Sequence, residues 1–293
     1  MHKLTVITRT KNRSVLLERC GKSLGQQKFR DFNWCIVNDG GDVSPVNDVV
    51  EKFKKENSDL NVQVVHNSIS VGMEAASNMG LRSSESDLVH ILDDDDTIHC
   101  DFYMDAVSVL NEVSTDRFLG VVCSSRKIYE RVNNGSIDII SSEPLHYSGN
   151  GIYIADILQK NQFSNNSLIF RRSVLEKVGF FDETLPVLGD WDFNIRLLLA
   201  GDLLFLKKEY SFHHIRLGAA VGAEQTMVSG QGLHELYTAV IKNKIYRSEG
   251  VVLAISATVG RQIVKIESNV RDLLNAKNSE WTIKKAIKYL FKK

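Results

Sequence analysis

The stretch Leu88-Val89-His90-Ile91-Leu92-Asp93-Asp94-Asp95-Asp96 runs from an apolar segment directly into four consecutive carboxylates. Its apolar part has the length of a strand buried on both faces, which places the aspartates at the strand's C-terminal edge. Adjacent anionic side chains repel one another, so the run needs either solvent or a cation. In an open parallel sheet, ligands bind at the carboxyl ends of the strands. A divalent ion with hard oxygen ligands, holding the phosphates of a nucleotide, fits that position. A solvated acidic turn is the plainer alternative.

Around this stretch lie 293 residues, of which 43% are hydrophobic, enough to bury a full core. The 36 Lys and Arg equal the 36 Asp and Glu, so no charge excess points to nucleic acid as a partner. Cys20, Cys35, Cys100 and Cys123 are widely spaced with no CxxC, which reads as reduced thiols in a cytosolic protein. The chain enters its first strand at Leu4 without a signal-peptide pattern, and no apolar run approaches the roughly 18 residues needed to span a bilayer. The expected location is cytoplasmic.

Working outward, strand and helix alternate. Leu4-Thr5-Val6-Ile7 reads as a first strand, and Asn12 as the N-cap of a helix carrying Val15, Leu16, Leu17 and Leu24. Trp34 to Val37 reads as a second strand ending at the turn Asn38-Asp39-Gly40-Gly41. Ser44-Pro45 opens the next helix, Val62 to Val65 is a third strand, and Met73 to Leu81 a third helix. Such a series predicts an α/β fold, a mostly parallel sheet flanked by helices. No GxGxxG or GxxxxGK follows the first strand, so neither a dinucleotide fold nor a P-loop is indicated. Polar residues gather instead at the strand ends. Thr8, Arg9, Asn12, Arg13, Asp39, Asn67, Asp93 and Asp94 are the candidate nucleotide-binding residues, with the base near Asp39, the ribose near Asp93, and the diphosphate near a metal on Asp95.

The series Val6 to Arg13, Ile36 to Gly40 and Leu92 to Asp96 resembles the family 2 glycosyltransferases of the GT-A fold. Downstream, Asn166 to Arg172, Val178 to Glu183 and Gly189 to Arg196 follow the order of that family's acceptor half. The resemblance implies an inverting transferase that moves a sugar from a UDP- or dTDP-sugar to a hydroxyl of a glycan or lipid-linked acceptor, in bacterial surface polysaccharide synthesis. It also implies Mn2+ or Mg2+ on Asp93 and Asp95, and Asp190 as the catalytic base. One position departs: the family often has Glu-Asp where this chain has Gly189-Asp190. The domains expected are a transferase domain over 1–222, divided into nucleotide-binding (1–97) and acceptor-binding (98–222) halves, and a helical extension over 223–293.

The chemistry requires a base opposite the metal. Asp190 stands at the start of an amphipathic helix, where the dipole favours its ionised form; capping that helix is its other reading. His213 and His214 lie on a strand whose alternation lets at most one ring face the metal, and Arg216 is within reach of the diphosphate. His90, inside the strand, reads as a satisfied core histidine. Trp191, Asp192, Tyr147 and Asn165 are candidate acceptor contacts. Arg131 to Ser136 reads as a hairpin turn and Ser141 to Gly151 as a loop. The helical pattern from Gly230 onward packs on its own domain or forms a homodimer seam. Within it, Trp281 to Lys293 combines an apolar face with a lysine face, which suits either peripheral contact with the cell membrane's inner face or packing on the core. A nucleotidyltransferase and a silent sugar-nucleotide binder are the other readings; the first lacks its Gly-rich loop, and the missing Glu before Asp190 favours the second.

Overall fold

In the computed structural model the described residues are 2–133, 136–145, 151–217 and 231–248, with the single positions 259 and 266. Among the described residues nine strands, with the ranges given below, form one sheet in the order β3-β2-β1-β4-β8-β6-β9-β5, with β7 paired to β6. The N-terminal part is β1 (Leu4–Thr10), α1 (Ser14–Gly25), β2 (Phe32–Asp39), α2 (Val43–Glu56), β3 (Asn61–Asn67), α3 (Met73–Arg82) and β4 (Leu88–Ile91). Strands β1, β2, β3 and β4 are mutually parallel, as the alternation predicts.

The chain then adds β5 (Thr97–Ile98), α4 (Phe102–Asn111), β6 (Phe118–Asn133), β7 (Ser136–Leu145) and α5 (Ile154–Ile157). It continues through β8 (Leu168–Arg171), α6 (Leu175–Val178), α7 (Gly189–Ala200), β9 (Asp202–Arg216) and α8 (Gln231–Ser248). Strand β8 runs antiparallel to both β4 and β6, so β6 and its parallel neighbour β9 share the direction of β1 to β4. The acidic run thus emerges beside the C-terminal end of β9, which carries the two histidines. Strands β6 and β7 pair antiparallel as far as Asn133 opposite Ser136, and Ser141 to Leu145 belongs to β7 rather than to a loop.

Burial explains the N-terminal sheet. Every residue of β2 is buried, and Trp34 packs edge-on against Phe53 of α2 at 4.8 Å between ring centroids. The Trp34 indole donates to Thr8 Oγ1 at 2.9 Å, so Thr8 is a fully buried core residue rather than a nucleotide contact. His90 is a satisfied core histidine: its ring nitrogens lie 2.9 Å from the Tyr103 hydroxyl and 3.0 Å from the Asn166 carbonyl. Burial pushes it down to about 4, so it stays neutral.

Chain contacts divide the protein into two compact units, Met1–Thr238 and Ala239–Lys293. The division falls within α8, whereas the sequence boundary at 222, most of the helical pattern expected beyond residue 248 and the basic segment 281–293 fall outside the described residues. Among the described residues, no helix is long and apolar enough to cross a membrane.

Candidate active site

The acidic run is divided by its own geometry. Asp94 and Asp96 are buried, while Asp93 and Asp95 keep 32% and 15% of their side-chain surface exposed. Arg13 reaches Asp94 at 2.7 Å and Asp95 at 3.4 Å, Arg216 donates to Asp95 at 2.9 Å, and Arg9 to Asp93 at 2.5 Å. The anions that seemed on charge alone to need a metal or water are therefore balanced by arginines from β1, the turn after it, and β9.

Each carboxylate responds to its surroundings. Burial works against charge on Asp95, but Arg13 and Arg216 outweigh it and hold the group below the usual carboxylate range. Burial pushes Asp94 up to about 7 against the pull of Arg13, and it raises Asp96 as well. One carboxylate oxygen from each of Asp93, Asp95 and Asp96 lies within 4.8 Å of the others, a hard-oxygen set suited to Mg2+ or Mn2+. Asp96, absent from the expected ligands, joins this set.

The histidines part as strand alternation requires. His213 Nδ1 lies 3.0 Å from Asp96 Oδ2, and that carboxylate pushes the imidazole up to about 9, so it is cationic at neutral pH. The His214 ring turns the other way, its nitrogens 2.9 Å from Thr97 Oγ1 and 2.8 Å from Glu130 Oε2. His214 is thereby removed from the expected metal ligands: Glu130, fully buried and also held by Arg19 at 2.7 Å, claims it as part of a supporting ion network. Asn166, in the turn before β8, donates to the same Asp96 oxygen.

At the end of β2, Asp39 accepts four hydrogen bonds, from Asn67 Nδ2, Ser70 Oγ and the backbone N–H groups of Val71 and Gly72, at 2.7 to 3.1 Å. Burial opposes its charge, but these donors keep it below the usual range. Asp39 and Asn67 thus organise the loop over residues 68–72 at the same sheet edge as the acidic run. Gly40, at φ +73°, permits the close approach, since a Cβ there would stand 2.5 Å from Ser70 N. Asn12 is not the cap of α1, which starts at Ser14 with Arg13 as its N-cap. At φ +54°, it accepts from the Asp42 N–H and braces the two strand-end turns.

Across the site, α7 begins after Leu188, which adopts a left-handed conformation. Asp190 Oδ2 accepts from Asn161 Nδ2 at 2.7 Å, and Oδ1 from the Trp191 N–H at 2.8 Å. Burial, with Asp93 adding to it, raises the Asp190 carboxyl above its ordinary range, which makes it a stronger base once ionised. Its neighbours differ from expectation. Trp191 is buried and donates its indole N–H to the Ile157 carbonyl at 2.7 Å, and Asp192 is buried in an ion pair with Arg196 at 2.8 Å. Both serve α7 rather than an acceptor, because the helix turns that face inward. Asn165 is likewise buried, in a short 3-10 turn, and Tyr147 lies outside the described residues.

Glu74, Asn161, Asn166, Arg19 and Glu130 escaped the sequence reading. Two had a signal: Asn166 opens one of the motifs that carry the resemblance, and Glu74 had an indirect one in the glycine at 189.

Three carboxylates cluster at the C-terminal edge of the sheet, and Asp190 at the start of α7 lies close enough for its charge and that of Asp93 to oppose each other. The chain belongs to Glycosyl transferase family 2, whose model matches residues 5–179. It is 28% identical over 189 residues to a GalNAc(5)-diNAcBac-PP-undecaprenol beta-1,3-glucosyltransferase of Campylobacter jejuni, covering 62% of this chain and 56% of that one. It is 27% identical to a teichoic acid poly(glycerol phosphate) polymerase of Staphylococcus epidermidis over 68% of this chain, but only 26% of the polymerase. The chain thus spans little more than half, or less, of these relatives. Among solved structures, S. aureus TarS 1–349 in complex with UDP-GlcNAc superposes with a TM-score of 0.57 at 21% identity, covering 82% of this chain and 66% of that one. The mannosyltransferase PcManGT of Pyrobaculum calidifontis, in complex with GDP-Man and Mn2+, gives 0.53 at 15% identity, covering 99% and 87%. At these identities the structural likeness concerns the fold.

Proposed function

We propose that the enzyme is inverting and metal-dependent, and transfers a sugar from a UDP- or dTDP-sugar to a hydroxyl of a glycan or lipid-linked acceptor in bacterial surface polysaccharide synthesis. One observation carries this reading: Arg9 links the two halves of the site, bonding Asp93 at 2.5 Å while its charge also bears on Asp190. A donor held at Asp93 would thereby sit before the only helix-borne carboxylate assigned as a base. The acceptor oxygen forms its bond to the anomeric carbon from the Asp190 side and gives its proton to Asp190. The bond from that carbon to the phosphate oxygen breaks, and the diphosphate leaves with the electron pair. A single displacement of this kind inverts the anomeric centre.

Asp93, Asp95 and Asp96 would hold Mg2+ or Mn2+, which would neutralise charge growing on the leaving diphosphate. Arg13 and Arg216, already at Asp95, stand where diphosphate charge would arrive. A lipid-linked acceptor is supported by the undecaprenol-linked compound in the Campylobacter relative's name, and a UDP donor by the UDP-GlcNAc in the TarS structure. The test incubates the protein with UDP-, dTDP- and GDP-sugars, an undecaprenyl-diphosphate glycan and either metal, and measures free nucleoside diphosphate and the product's anomeric configuration. Metal-dependent UDP or dTDP release with inversion is expected; retention, or pyrophosphate release, refutes the reading.

A further inference from the structure

Glu74 is 5% exposed in the first turn of α3, a position where an acidic residue ordinarily faces water and the helix dipole. Here it is folded inward. Its Oε2 lies 3.6 Å from Arg9 Nη1, the guanidinium whose other arm grips Asp93. The backbone N–H of Gly189 donates to it, and Asp190 is close enough for the two negative charges to oppose each other. A Cβ built on Gly189 would overlap the Glu74 carboxyl, so the glycine is required by the glutamate. Gly189 has no positive φ, and its backbone would accept another residue if that space were free. One helical turn on, Asn78 donates to the Phe181 carbonyl at 2.9 Å and accepts from the Phe181 N–H at 3.0 Å, so this face of α3 anchors the segment leading into α7.

We propose that Glu74 is a positioning residue of the active site, fixing Asp190 against the donor edge through Arg9 and the Gly189 N–H. This deepens the proposed function and rests on it. Its burial beside one arginine, a backbone N–H and two other acids is a polar arrangement that packing alone does not favour. An isosteric amide would fill the same volume without the charge that holds Arg9.

The test compares Glu74→Gln, Glu74→Ala and the double variant Glu74→Ala/Gly189→Glu in full-length protein. It uses the UDP- or dTDP-sugar that the unsubstituted enzyme turns over, with UDP and Mn2+ as the binding probe. Glu74→Gln should melt cooperatively, bind UDP within about 3-fold of the unsubstituted protein, and lose about 10-fold or more in kcat with little change in donor KM. The double variant, returning a carboxylate from the other side of the same space, should recover much of what Glu74→Ala loses. Near-normal kcat in Glu74→Gln overturns the proposal, as does a folded double variant no better than Glu74→Ala. Turnover by the unsubstituted protein tests the function reading and the ratios between variants test this one, so the two fail separately.

Discussion

Asn161 donates its side-chain N–H to Asp190 Oδ2 at 2.7 Å, from a loop 29 residues earlier in the chain. The bond stabilises the ionised carboxylate, opposing the burial that raises the group, and so sets how basic the carboxylate is in the resting site. Replacing Asp190 by Asn keeps the shape and removes the proposed base. Turnover should fall about 100-fold or more while UDP binding persists, measured as kcat beside calorimetric Kd. Near-normal turnover would move the base elsewhere.

Asn161→Ala has a different signature. Without its donor, Asp190 holds its proton more tightly, so the acid limb of the kcat profile should shift to higher pH. The sign follows from the base being active only when ionised: activity is lost as pH falls through a raised pKa. A limb that stays in place, or moves to lower pH, contradicts the assigned contact.

Asp95→Ala would remove one of the three carboxylates proposed to hold the metal and free the charge of Arg13 and Arg216. UDP affinity in the presence of chelator should hold or rise, whereas its increase on adding Mn2+ should disappear. Titrating UDP with and without metal separates these effects; persistent metal stimulation would remove Asp95 from the ligand set.

Glu130→Ala leaves Arg19 and His214 facing a buried gap. Breaking such a network by deleting one partner costs about 3–5 kcal/mol, read as a shift of the denaturant midpoint. A shift under about 1 kcal/mol would show that the network contributes little to the fold.

Asp39→Ala strips the acceptor from four donors. A loss of about 1–3 kcal/mol in unfolding free energy is expected. Limited proteolysis should find its first new cleavage in residues 68–72, which Asp39 holds at the sheet edge. An unchanged digestion pattern would deny Asp39 that role.

The sequence by itself determined the alternation of strand and helix through Leu92, the parallel direction of those strands, and the edge at which the acidic run emerges. It also placed Asp190 at the start of a helix and set the two histidine rings on opposite sides of a strand. Periodicity, turn residues and charge are local properties, so they can be read from neighbours in the chain. The tertiary structure decided which aspartates stay open, which histidine faces them, that Trp191 and Asp192 turn inward, and that Glu74 fills the space beside Gly189. Each of these depends on a partner far along the chain: Arg13 lies about eighty residues from Asp94, and Glu130 eighty-four from His214. A side chain's charge is written in the sequence, but whether water, an arginine or another acid surrounds it is settled only when distant segments pack and exclude solvent.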